Sequence, residues 1–209
     1  MPRGRATTYP EQRDGILQHA ATLFAQRGFS ATSMHELARA AGVSKALLYH
    51  YFEDKKQLLL AIAEGHIDRL TALADEVEAQ CLPPEERLTR LVERFVEEYA
   101  HARAHHQVLV QDLKYLDGED QQRVRGKERR VVAAFSTAIV GTEPMIGTTR
   151  LETPLSMLLF GMINWLFTWF RDEGPLDYAA LARLVSAFVR GGLQRVATDE
   201  AIDSIRHEK

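Results

Sequence analysis

Four side chains between residues 44 and 50 carry the clearest chemistry in this sequence. Lys45 supplies a cation able to meet a phosphate or a guanine edge, and Tyr49 and His50 offer donors to backbone phosphates. Ser44 donates through its hydroxyl and, if it opens a helix, stands beside backbone N–H groups that favour anions. Leu47 is apolar yet expected to point outward, where a thymine methyl is its natural contact. Lys55, a few residues on, is expected at the start of the next helix and directed at a phosphate. Arg3 and Arg5 form a basic arm suited to a minor groove. Every one of these groups fits double-stranded DNA, and none of them makes an acid/base or nucleophile constellation.

The elements that must position these groups are readable from apolar spacing. Ile16, Leu17, Ala20, Ala21 and Phe24 mark one face of a helix closed by Gly28. Met34, Leu37, Ala38 and Ala41 mark a short second helix, opened by Ser33 with Glu36 three residues on, a capping box. Gly42 is the turn residue that tolerates positive φ. Ser44 is the N-cap of another short helix to about Tyr51, with Val43, Leu48 and Phe52 as its apolar side. Two short helices about such a turn form a helix-turn-helix, whose second helix enters the major groove. Asp54 with Gln57 opens a long helix towards Gln80.

Pro83-Pro84 breaks the chain, and Leu88, Leu91, Val92, Phe95, Val96 and Tyr99 line one side of the helix that follows. His105–Leu116 is expected as a shorter helix, Glu119–Val140 as an amphipathic one, and residues 141–150 as a loop. Pro154–Phe170 is apolar nearly all round, expected as one helix buried on more than one side. The run Leu155–Phe170, about sixteen residues, is too short to span a membrane. Asp177 caps a last helix to about Val196. The fold class is therefore all-α, with residues 1–56 expected as a three-helix DNA-binding domain and residues 57–209 as a second helical domain, to which the family resemblance described below assigns effector binding and dimerization.

Charge follows the same division. The 209 residues carry a formal net charge of −3, but residues 1–56 hold eight basic and five acidic residues, or +3, which leaves −6 for the remainder. The lone Cys81 excludes a disulfide framework and a Cys-based zinc site. His101 and His105 share a helix face and His106 adjoins them, but no nearby cysteine or extra carboxylate completes a ligand set, so no metal and no cofactor are assigned. No phosphate loop, nucleophile elbow or metalloprotease pair is present, so an enzyme is not expected. No apolar run follows the N-terminal Met-Pro-Arg-Gly-Arg, which points to the cytoplasm.

Thr32–Lys56, TSMHELARAAGVSKALLYHYFEDKK, resembles the DNA-binding segment of the TetR/AcrR family of bacterial transcription regulators. The resemblance is nearly continuous over residues 10 to 60. It implies DNA contacts by Ser33, Ser44, Lys45, Ala46, Leu47, Tyr49, His50 and Lys55, with Ala46 standing where many relatives have glycine. It also implies a homodimer on operator DNA and a small-molecule effector that releases a repressor.

The apolar surplus of Pro154–Phe170 and of the last helix (Leu181, Leu184, Val185, Phe188, Val189, Leu193) agrees independently with pairing of the last two helices between protomers. Asn164 and Thr168, at i and i+4 in the apolar helix, either bond to other helices or line a ligand pocket. With Tyr99, Lys114, Met157, Phe160 and Trp165 they form the candidate ligand set. The segments QDLKYL (111–116) and GMINWLFTWFRDEGPL (161–176) resemble the subgroup of the family whose effectors are acyl-coenzyme A thioesters. Such an effector needs cations for its phosphates, and Arg103, Lys114, Arg123, Arg125, Lys127, Arg129 and Arg130 are available. The alternative effector is another small hydrophobic ligand, as in multidrug-responsive repressors.

Overall fold

A computed structural model describes residues 9–171 and 173–198. Among the described residues every regular element is helical. In order these are α1 (Tyr9–Arg27), α2 (Met34–Ala40), α3 (Lys45–Tyr51), α4 (Lys55–Glu78), α5 (Pro84–His101), α6 (Arg103–Asp112), a 3-10 turn (Leu113–Tyr115), α7 (Gly118–Thr142), α8 (Pro144–Thr149), α9 (Glu152–Ile163), α10 (Leu166–Trp169) and α11 (Tyr178–Ala197). The chain divides into two compact units: Met1–Ile67 with Ala104–Val124, and Asp68–Arg103 with Arg125–Lys209. The first unit therefore takes in α6 and the 3-10 turn as well as the three N-terminal helices.

In the first unit, α1 buries Ile16, Ala20, Ala21 and Phe24 and packs on α2, which buries Leu37 and Ala38; α3 buries Leu48, and α4 buries Leu58, Leu59 and Ile62. The start signals act as their chemistry requires. Ser33 Oγ accepts from the Glu36 N–H at 3.3 Å while Glu36 Oε2 accepts from the Ser33 N–H at 2.9 Å, the reciprocal box. Ser44 Oγ accepts from the Leu47 N–H at 3.1 Å. Asp54 Oδ1 accepts from the Gln57 N–H at 2.8 Å, and Gln57 Oε1 returns the bond to the N–H of Glu53 at 2.9 Å. Gly28 and Gly42 have φ of 81° and 66°, the left-handed conformations that end α1 and turn α2 into α3.

In the second unit, α5 buries the six predicted apolar residues, and Phe95, Phe135 of α7 and Phe160 of α9 meet edge to face, with Phe95–Phe135 centroids 4.9 Å apart and Phe135–Phe160 4.8 Å. Three expectations need correction. Residues 141–150 are not all loop: Pro144 stands in the first turn of α8, where its missing N–H costs nothing, and Thr148 and Thr149 return their hydroxyls to the carbonyls of Met145 and Ile146. Pro154–Phe170 is not one helix. α9 ends before Asn164, whose Oδ1 accepts from the Tyr99 hydroxyl at 3.1 Å. At the break Trp165 O accepts from both the N–H of Thr168 at 3.0 Å and its hydroxyl at 2.6 Å, and in α10 Phe167 O accepts from Arg103 Nη2 at 2.5 Å. The segment expected as His105–Leu116 is also split, into α6 and the 3-10 turn.

Candidate nucleic-acid interface

α3 has two chemically different faces. Leu48 is fully buried and Phe52 at its C-cap is 3% exposed, so the helix is fixed from below. Lys45, Ala46, Tyr49 and His50 are exposed, and Leu47 is half-buried. Lys45 Nζ lies 5.7 Å from the centre of the Tyr49 ring, which places a cation and a phenol side by side on the outer face. The helix is tied to α1 by side chains the sequence did not single out. The Tyr51 hydroxyl donates to Gln12 Oε1 at 3.3 Å, Tyr9 packs on Tyr51 with centroids 4.6 Å apart, and the Arg13 guanidinium sits 5.3 Å over the Phe52 ring. Tyr9 also meets His50 edge-on at 6.4 Å, so the imidazole is backed by an aromatic ring. Aromatic and amide types this far apart in sequence gave no local signal of pairing.

The caps limit what two of the candidates can offer. Ser44 spends its hydroxyl oxygen on the Leu47 N–H, so towards an anion it presents its O–H and the N–H groups of the first turn. Ser33 is engaged twice with Glu36: besides the capping box, its O–H donates to Glu36 Oε2 at 2.8 Å. Those two bonds from Ser33, with the nearby charges of Arg27 and Arg39, hold the Glu36 carboxyl below the ordinary range. Arg27 closes on Glu36 at 3.0 Å and so joins the end of α1 to the start of α2.

Lys55 opens α4, its expected place. Its ammonium turns back to the α1–α2 turn, donating to the carbonyls of Phe29 at 2.7 Å and Thr32 at 2.8 Å, with Ser30 O at 3.5 Å. Arg3 and Arg5 lie outside the described residues.

The candidate ligand residues are not gathered as a set. Tyr99 and Phe160 are 5% and 6% exposed and belong to the interior of the second unit. Asn164 bonds to Tyr99, whereas Thr168, expected inside the helix core, is exposed and bonds only along its own helix. Met157, in the middle of α9, and Trp165, at the break after it, are 56% and 48% exposed, on the surface instead of the interior. Lys114 lies in the first unit, its Nζ 5.2 Å from the Tyr115 ring. Burial pushes the Tyr99 phenol strongly upward, and the neighbouring Glu128 charge adds to it; burial also raises Glu128 itself against the pull of Arg125 and Arg129. Two surface clefts of about 340 and 280 Å³ in the second unit share Arg190, and neither is lined by a candidate ligand residue. Among the described residues no group of three or more His, Cys, Asp or Glu is placed to hold a metal ion, and no helix is long and apolar enough to cross a membrane.

Comparison with known proteins bears on both parts of the chain. The family model described as "Bacterial regulatory proteins, tetR family" matches residues 16–62, and the model "Tetracyclin repressor-like, C-terminal domain" matches residues 81–193. The "HTH-type transcriptional repressor KstR2" of Rhodococcus jostii is 32% identical over 185 residues, 87% of this chain and 91% of that protein. Among solved structures, a TetR-family transcriptional regulator from Bordetella parapertussis superposes with a TM-score of 0.82 at 32% identity, covering 93% of this chain and 98% of that one. AibR, solved in complex with isovaleryl coenzyme A and operator DNA, superposes with a TM-score of 0.72 at 24% identity, covering 87% and 97%.

Proposed function

Because the chain belongs to the TetR family of bacterial transcriptional regulators, we propose that it is a cytoplasmic, homodimeric repressor that reads operator DNA with α3 and leaves it when a small acyl thioester binds. The observation that carries the reading is the outer face of α3, where Lys45, Ala46, Tyr49 and His50 are exposed over a fully buried Leu48. In this reading Ser33, Ser44 and Leu47 flank that face, and the arm carrying Arg3 and Arg5 reaches the minor groove.

The dimer is supported by apolar surface. Leu158 on α9 and Leu184 and Phe188 on α11 are 67%, 56% and 71% exposed, more than a lone soluble unit leaves uncovered on two helices. Pairing α9 and α11 with their copies buries that surface and sets two α3 helices about 34 Å apart, one turn of DNA. An effector releases DNA only through its differential affinity for a state with another spacing. An acyl-coenzyme A is favoured by its presence in the AibR structure, by the apolar interior around Tyr99 and Phe160, and by exposed cations. Of the seven expected cations, Arg123, Lys127 and Arg130 are committed to Glu64 and Asp120, Asp68 and Asp75, and Arg103 caps Phe167 O. Lys114, Arg125 and Arg129 are exposed and are the better phosphate candidates.

The test is a duplex selected from random sequence by the full-length protein. It should bind the dimer with steep salt dependence, and Lys45→Ala should weaken it about tenfold or more, with a salt slope lower by about one. Unchanged specific binding by Lys45→Ala sinks the reading of α3. Isovaleryl-coenzyme A and longer acyl-coenzyme A esters, titrated into the complex, should release the duplex; release by the free acids alone would favour a simple hydrophobic effector.

A further inference from the structure

Between α1 and α2 the chain reverses over Gly28–Ser33, and the carbonyls that follow the helix end have few backbone donors: Phe29 O takes the Thr32 N–H at a long 3.3 Å. The missing donor is Lys55, the first residue of α4. Its ammonium lies 2.7 Å from Phe29 O, 2.8 Å from Thr32 O and 3.5 Å from Ser30 O. It also sits 4.3 Å over the Phe29 ring. A cation at a helix N-terminus opposes the helix dipole, so its place there needs compensation, and three carbonyls and a ring supply it. The Phe29 ring stacks in turn on Tyr115 of the 3-10 turn, centroids 5.0 Å apart and planes 22° off parallel, and touches Phe24 at 5.3 Å. Lys55, Phe29 and Tyr115 thus join three pieces of the first unit: the start of α4, the turn before α2 and the turn after α6. Among the described residues Lys45 makes no comparable bond, and its ammonium lies 5.7 Å from the centre of the Tyr49 ring.

We propose that Lys55 is a positioning residue for DNA recognition, a strut that holds the turn before α2 against α4 and so sets the α2–α3 pair, and not a phosphate contact. This rests on the reading of α3 as the DNA-binding helix. To reach a phosphate the ammonium must give up two short bonds to carbonyls that have no substitute donor of equal strength. Without the strut, fewer molecules hold the pair in the binding arrangement, and apparent affinity falls by that fraction while the number of phosphate contacts stays the same.

Salt dependence separates the two roles, because each lost phosphate contact lowers the slope of log K against log salt by about 0.9. Full-length wild type, Lys55→Met, Lys55→Arg and Lys45→Met are titrated with the selected duplex from about 50 to about 200 mM salt, well below the melting temperature of each. Lys45→Met is expected to lose about one unit of slope. Lys55→Met is expected to bind about tenfold more weakly at the wild-type slope, with Lys55→Arg recovering most of the affinity. A drop of about one unit in the Lys55→Met slope at an unchanged melting temperature overturns the proposal. If Lys55→Met does not fold, acetylation of wild-type lysines, read by mass spectrometry with and without the duplex, decides instead. Slow labelling of Lys55 in both states supports the strut; rapid labelling in free protein with protection on the duplex overturns it. If no duplex binds at all, the α3 reading fails on its own, and labelling of the free protein still reports on the strut.

Discussion

Gly42 shows how much can rest on a single backbone conformation. Its φ of 66° lies where a Cβ is disfavoured, and no atom lies within 4 Å of the place a Cβ would take. Any cost of substitution there is therefore conformational, not steric, and Gly42→Ala is expected to lose about 1–2 kcal/mol in urea unfolding. Leu48 is the opposite case, a side chain with no exposed surface beneath the recognition face. Leu48→Ala is expected to cost about 2–5 kcal/mol by the same measurement and to weaken DNA binding with it. His66 adds a pH dependence. It is 3% exposed, its Nε2 lies 3.3 Å from Nδ1 of His106, and burial, then the charges of His106 and His105, push it down to about 3. The unfolded chain takes up this proton near the ordinary 6.5 and the folded chain does not, so stability is full above about 6.5 and falls as pH drops towards 3, by at most about 1.4 kcal/mol per unit. The loss between pH 7 and pH 5 should shrink in His66→Gln; an equal loss in both proteins refutes the assignment.

At the scale of elements, the short helices depend on their caps. α2 and α3 have seven residues each, too few to persist without tertiary packing and satisfied ends. Ser44→Ala removes the acceptor for the Leu47 N–H and should cost about 1 kcal/mol by urea unfolding. These caps were legible in sequence because capping is a relation between residues three apart. So was the buried side of α5, whose six apolar residues follow a 3.6-residue period. The break after α9 was not legible. Period and composition describe an apolar helix through Phe170, whereas at the interruption Asn164 accepts from Tyr99, 65 residues away. Lys55 is similar: its type and its place beside the helix-turn-helix suggest a phosphate contact, but its acceptors lie 23 to 26 residues upstream.

For the molecule as a whole, surface decides assembly. The mildly acidic total of −3 conceals a basic DNA-reading end and an acidic remainder, so net charge alone argues wrongly against nucleic acid. The exposed Phe188 stands near the middle of the apolar stripe on α11. Phe188→Glu should turn a dimer into a monomer in sedimentation at micromolar protein and, by removing the second half-site contact, weaken operator binding well beyond tenfold. A Phe188→Glu protein that stays dimeric, with wild-type affinity, would place the dimer contact elsewhere.

The sequence by itself determined the all-helical class, the capped α2–α3 pair, the cationic and polar outer face of α3 and the family that these residues resemble. Each of those depends on residues within a turn or two of one another, where propensity, capping and period act directly. Only the tertiary structure decided where Lys55 sends its charge, where the apolar helix breaks, and which candidate ligand residues are interior. Those outcomes depend on which partner is brought close by folding, and a single chain of letters states the donor without stating its acceptor.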